Sequence, residues 1–186
     1  MQNAKELKLA EDFKSVLFSK TSKMEVSEVL EIWRDFVKYT VNYHKGIVDY
    51  NDESPLWGVH GRIIDINEFL YKAGAYQDLI DVNEDILKLE WKNPDGTDDS
   101  IMVANAKRVI ADTYAMMGDY KKAITLYESY LEEDNLWGEG WLGYCWILEE
   151  YDREKLKQVV EDLKSRILED EFYDKDELQE WLNNIV

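Results

Sequence analysis

ANAKRVIADTYAMMGDYKKAITLYESYLEEDNLW, residues 104–137, is the stretch on which the fold turns. Apolar and small residues recur in it at steps of three and four, the spacing of a helix face. Gly118, in Met117-Gly118-Asp119-Tyr120, lets a first helix end and the chain reverse, because glycine enters the left-handed conformation without steric penalty. The pattern predicts one helix over about 99–117 and a second over 119–133.

The same periodicity extends outward. Upstream it predicts helices over about 55–73 and 76–92, opened by Ser54-Pro55, an N-cap followed by proline at the first helical position. Downstream it predicts 136–150, 153–169 and a terminal helix over 174–185, with Leu178, Trp181, Leu182 and Ile185 on its apolar face. Near the start, Leu7, Ala10, Phe13, Leu17 and Phe18 mark one helix. A second opens with Ser22 and Glu25 as a capping box and carries Val26, Val29, Leu30, Trp33, Phe36, Val37 and Val41 on one stripe. Gly46 ends it and 47–53 is expected to be a loop. Between the later helices the one substantial loop is Lys92 to Ser100, broken by Asn93, Pro94, Asp95 and Gly96. No stretch has the composition of a flexible linker, so residues 1–186 are expected to form a single all-α domain.

Residues 104–137 resemble a tetratricopeptide repeat, a helix–turn–helix unit of about 34 residues. The matching positions are Ala111, Tyr114, Gly118, Tyr120, Ala123, Tyr127 and Leu131. The two alanines are small where paired helices cross, and the tyrosines fill the space between pairs. A weaker copy follows Ile63, Ile66, Leu70, Gly74, Tyr76, Leu79 and Leu87, with Asn67 in place of the small residue. Another follows Trp141, Tyr144, Cys145 and Leu148, with Lys157 in place of the small residue. Leu-Trp-Gly steps at 56–58 and 136–138 suit a duplication. The resemblance spans about 55–168. It implies a right-handed superhelical array of antiparallel helix pairs, with 1–46 as a divergent pair and 174–185 as a capping helix.

Forty Asp/Glu against 22 Lys/Arg give a net charge of -18. Residues 1–45 hold eight basic and seven acidic side chains, so the remainder carries -19. Such a field repels phosphate backbones and attracts basic partners, which argues against direct nucleic-acid binding. Met1 to Lys20 lacks the apolar run of a signal peptide, and no stretch reaches the roughly 20 apolar residues of a membrane span. A cytoplasmic, membrane-free protein is expected. The single Cys145 forms no internal disulfide and suits a core position.

Chemistry is sparsely marked. His44 and His60 are the only histidines, and no HExxH-type spacing accompanies them. Asp95, Asp98 and Asp99 surround Gly96 but lack the ligand order and closing Glu of a calcium loop. No phosphate loop or nucleophile elbow is present. Neither catalysis nor a cofactor or metal is expected. Trp33, Trp141 and Trp181 fall on apolar stripes and are expected in the core.

In the family that the repeat resembles, the first helix of each pair lines a concave groove. The resemblance places Ile64, Glu68 and Tyr71, then Arg108 and Asp112, then Leu142, Trp146 and Glu149 along it. It implies an acidic groove with aromatic and aliphatic anchors, suited to a basic or mixed peptide or protein segment. Arg108 beside Asp112 does not make the Lys/Asn clamp with which some family members grip a C-terminal carboxylate. The alternatives are a groove filled by the chain's own terminal helix, and an acidic helical mimic of nucleic acid that occupies a DNA-binding protein. Glu132-Glu133-Asp134 and Glu169-Asp170-Glu171 are the clusters such a mimic would present.

Overall fold

Periodic apolar stripes become helices through most of the computed structural model, which describes residues 4–17, 24–49, 59–93 and 95–185. In chain order the elements are α1 (Ala4–Leu17), α2 (Val26–His44), β1 (Ile47–Asp49), α3 (Val59–Lys72), α4 (Tyr76–Leu87), β2 (Glu90–Lys92), α5 (Ser100–Met116), α6 (Tyr120–Glu133), α7 (Gly138–Tyr151), α8 (Arg153–Arg166) and α9 (Lys175–Asn184). They fall into two compact units, Met1–Ala106 and Lys107–Val186, divided within α5. None of the described helices is long and apolar enough to cross a membrane.

In the first unit α1 packs on α2 and α3, and α4 packs on α2 and α3. Helix α2 buries Val29, Leu30, Trp33 and Phe36 as the stripe predicts. Its end departs from that stripe: Tyr39 and Thr40 are buried, while Val41 is 53% exposed. The Glu28 carboxylate accepts from the Glu25 backbone N–H at 2.8 Å, so Glu25 is the N-cap. Ser22, expected there, and the Ser54-Pro55 signal lie outside the described residues. Lys45 and Gly46 both take positive φ, and their N–H groups close the last turn on the Thr40 carbonyl. Asn67, on α3 where a small residue was expected, pairs its amide with Asn83 of α4 at 2.9 Å. That pairing is the local change in the crossing which a polar side chain there requires.

Two short strands correct the loop over 47–53 and the helix running to 92. Helix α4 stops at Leu87, and Ile47, Val48 and Asp49 pair in parallel with Glu90, Trp91 and Lys92. Val48 and Trp91 are buried, and the Trp91 indole N–H donates to the Ile86 carbonyl at 2.8 Å. The same carbonyl accepts from the Leu89 N–H at 3.1 Å, so both bonds fix the chain as it leaves the helix.

In the second unit α6 and α8 pack on α7, and α9 packs on α7 and α8. Gly118 has φ +84°, as its turn requires. Asp119 and Asp152 cap α6 and α8, accepting from the N–H groups of Lys122 and Lys155 at 3.1 and 3.0 Å. Asp152 both ends α7 and begins α8, so this joint has no glycine and is two residues shorter than the turn between Met116 and Tyr120. Counted from the caps, Leu156 is the equivalent of Ala123, and both are buried. Lys157, expected at the crossing from a strict 34-residue step, is exposed. Leu178 and Leu182 bury the inner face of α9, and Trp181 is half-buried.

Candidate binding surface

The polar side chains predicted on α5 meet those of α6 and α7. Arg108 pairs with Glu139 at 3.0 Å, and the Tyr127 hydroxyl donates to the Asp112 carboxylate at 2.7 Å. Tyr127 is fully buried and passes against Gly143 of α7, where an added Cβ would stand 2.2 Å from its hydroxyl oxygen. Burial raises Asp112 above the ordinary aspartate pKa, although the Tyr127 hydrogen bond and the Arg108 charge both oppose the rise. Burial, reinforced by Asp112, holds the Tyr127 phenol protonated. Arg108 and Asp112 are therefore each engaged inside the unit, by Glu139 and by Tyr127.

Along α7 the predicted positions divide. Leu142 is buried and offers no surface, which corrects its place in the groove. Trp146 is 54% exposed, and Glu149, one turn further on, is exposed. The Arg153 guanidinium donates to the Glu149 backbone carbonyl at 3.2 Å. Glu139, Trp146 and Glu149 share one stripe by helical spacing. With Glu139 on Arg108 and Gly143 on Tyr127, Trp146 lies about a turn beyond the Asp112 level. Cys145 is fully buried, and burial pushes its thiol up to about 12.

No protein-family model, curated protein or solved structure matches this chain.

The remaining predicted residues belong to α3 in the first unit. Ile64 and Tyr71 are 59% and 50% exposed and lie two turns apart on one face. Glu68 between them accepts from the Lys72 ammonium. This unit also has a feature that repeat positions do not reveal, a cleft of about 270 Å³ between α2 and α4. Leu30, Trp33 and Val82 form its apolar floor, and Asp78, Asp81, Glu84 and Asp85 edge it opposite Arg34. The acidic face of α4 was legible at helical spacing, whereas α2 as the facing wall was not. Asp85 is engaged by the Trp33 indole at 3.3 Å and by Lys88 at 2.9 Å.

The carboxylates of the 92–100 loop have separate tasks. Asp95 accepts from Thr97, Asp98 pairs with Lys92, and buried Asp99 caps α5 by accepting from the Met102 N–H at 3.1 Å. His44 stands 3.4 Å from Glu6, beside the Tyr39 ring. Among the described residues no three His, Cys, Asp or Glu side chains converge as a ligand set.

Proposed function

We propose that this chain is a helical-repeat binding module of tetratricopeptide type, which takes a basic or mixed segment of a partner protein along the first-helix faces of its repeats. The observation that carries this reading is Trp146. Gly138, Gly140, Leu142, Gly143, Tyr144, Cys145, Ile147 and Leu148 are all buried on α7, yet Trp146, one of its two tryptophans, stays half in water. Burying a large apolar side chain is worth about 1.5–3 kcal/mol, and tryptophan is enriched among residues that dominate interface energies. Ile64 and Tyr71 give α3 a similar outward apolar face. The net charge of -18 selects basic partners over acidic ones. Binding suits these side chains better than catalysis, because Cys145 is sealed and Asp112 is tied to Tyr127.

Affinity capture from host extract tests the proposal, using the native chain and Trp146→Ala at low and moderate salt. A partner retained by the native chain in moderate salt and lost with the variant supports it. Capture of DNA-binding proteins alone, indifferent to Trp146 and abolished by salt, would replace it with mimicry of nucleic acid.

A further inference from the structure

The second unit handles its own cations in a recurring way. Lys107 lies 5.1 Å from the Tyr130 ring centroid and 2.6 Å from Glu133. Lys155 lies 6.0 Å from the Tyr144 centroid and is held by Glu128. Arg166 lies 5.5 Å from the Trp141 centroid and 5.1 Å from that of Phe172, with Asp170 at 2.8 Å. Each is a cation over an aromatic face, fixed sideways by a carboxylate. The ring quadrupole attracts the charge, and the carboxylate sets its position.

Trp146 turns the same pair of groups outward. Its indole is half-exposed, and Glu149 and Glu150 follow at i+3 and i+4, within side-chain reach on one helix face, both exposed. The surrounding charge favours a cation from outside. Lys107–Val186 carries twenty Asp/Glu against ten Lys/Arg. Of the basic groups bonded to this stripe, Arg108 pairs with Glu139 and the Arg153 Nε–H donates to the Glu149 carbonyl. Guanidinium suits the position better than ammonium, because it is planar, stacks on an indole and is more weakly hydrated.

We infer that Trp146, Glu149 and Glu150 form a docking point for an arginine side chain of the partner segment, with the guanidinium stacked on the indole and bonded to the carboxylates. The inference rests on the reading of the first-helix faces as the binding surface and names the chemistry of its anchor.

The test labels the full chain with 5-fluorotryptophan and assigns the Trp146 resonance by its loss in Trp146→Phe. A capped octapeptide of alternating arginine and glycine is titrated in 50 and 500 mM salt, beside its citrulline counterpart, which keeps the shape and removes the charge. The arginine peptide is expected to shift the Trp146 resonance selectively, with a residual shift in 500 mM salt, and the citrulline peptide to leave it unmoved. Glu149→Gln with Glu150→Gln should weaken the arginine peptide about three- to tenfold. Both substitutions are on exposed positions, and circular dichroism confirms that the variant is folded. Equal shifts from the citrulline peptide, or uniform shifts of all tryptophans that vanish in 500 mM salt, would overturn the inference. So would an unmoved Trp146 resonance, and if Trp146→Ala still abolishes partner capture, the binding surface stands without this anchor. Loss of that dependence in capture would instead bring down the functional reading beneath it.

Discussion

At Gly143 an added Cβ would stand 2.2 Å from the Tyr127 hydroxyl oxygen and 2.7 Å from its Cζ. Tyr127 is fully buried and bonded to Asp112, so it has little room to retreat. Gly143→Ala is expected to destabilise the protein by about 1–3 kcal/mol in urea unfolding, the usual range for overpacking. Gly61→Ala on α3, where an added Cβ meets nothing within 4 Å, should be neutral or stabilising. Equal effects would contradict the packing described at Tyr127. Asp112 supplies a prediction with a sign. Its folded-state pKa lies above the ordinary value, so the folded state holds this proton more tightly than the unfolded chain does. The ionised carboxylate therefore lowers stability fully above that raised pKa, and the penalty fades as pH falls from there to the ordinary aspartate value, below which it is gone. Asp112→Asn should gain stability relative to the native chain between pH 3.5 and 7; the reverse trend would mean that Asp112 is better solvated than described. Cys145, with its thiol near 12 and its side chain buried, should resist iodoacetamide at neutral pH until denaturant opens the fold. Rapid alkylation of the native protein would contradict its burial. Ala111, Ala123 and Cys145 were expected as small core positions from the repeat resemblance, and all three are buried. The burial of Leu142 was not legible, since what covers α7 comes from other parts of the chain.

Among elements, the helices were legible to within a few residues wherever caps or glycine marked their ends. The strands were not: three residues carry no measurable alternation, and β1 and β2 exist because Val48 and Trp91 bury together after two helices have stopped. The register of α8 shows a second kind of failure. Gly118 gives the turn before α6 a left-handed residue, whereas Asp152 alone joins α7 to α8, and caps 33 positions apart in place of 34 put the buried position at Leu156 and not at Lys157. Ala123 remains the decisive position of the middle pair. Ala123→Leu should lose about 1–3 kcal/mol in urea unfolding, because a larger side chain has no space at a fully buried site. Lys121→Ala, exposed on the same helix, should stay within about 0.5 kcal/mol of the native protein. Equal losses would show that α6 faces its neighbours in a different register.

At the scale of the whole molecule, a core built from apolar stripes leaves a net charge of -18 on the chain and a few large apolar groups turned outward. Trp146 was expected on a groove from the repeat resemblance, and it is 54% exposed. The engagement of Arg108 by Glu139 and of Asp112 by Tyr127 was not legible, because those contacts join residues 31 and 15 positions apart. They leave Trp146 and the carboxylates after it as the part of that stripe open to a partner. Site-specific photo-crosslinking tests this most directly. Benzoylphenylalanine is placed at position 146 in one variant and at the exposed position 121 in another, and both are irradiated in host extract. A discrete crosslinked partner at 146 that survives moderate salt is expected, and none at 121. The same products from both positions, or a partner only at 121, would contradict that expectation.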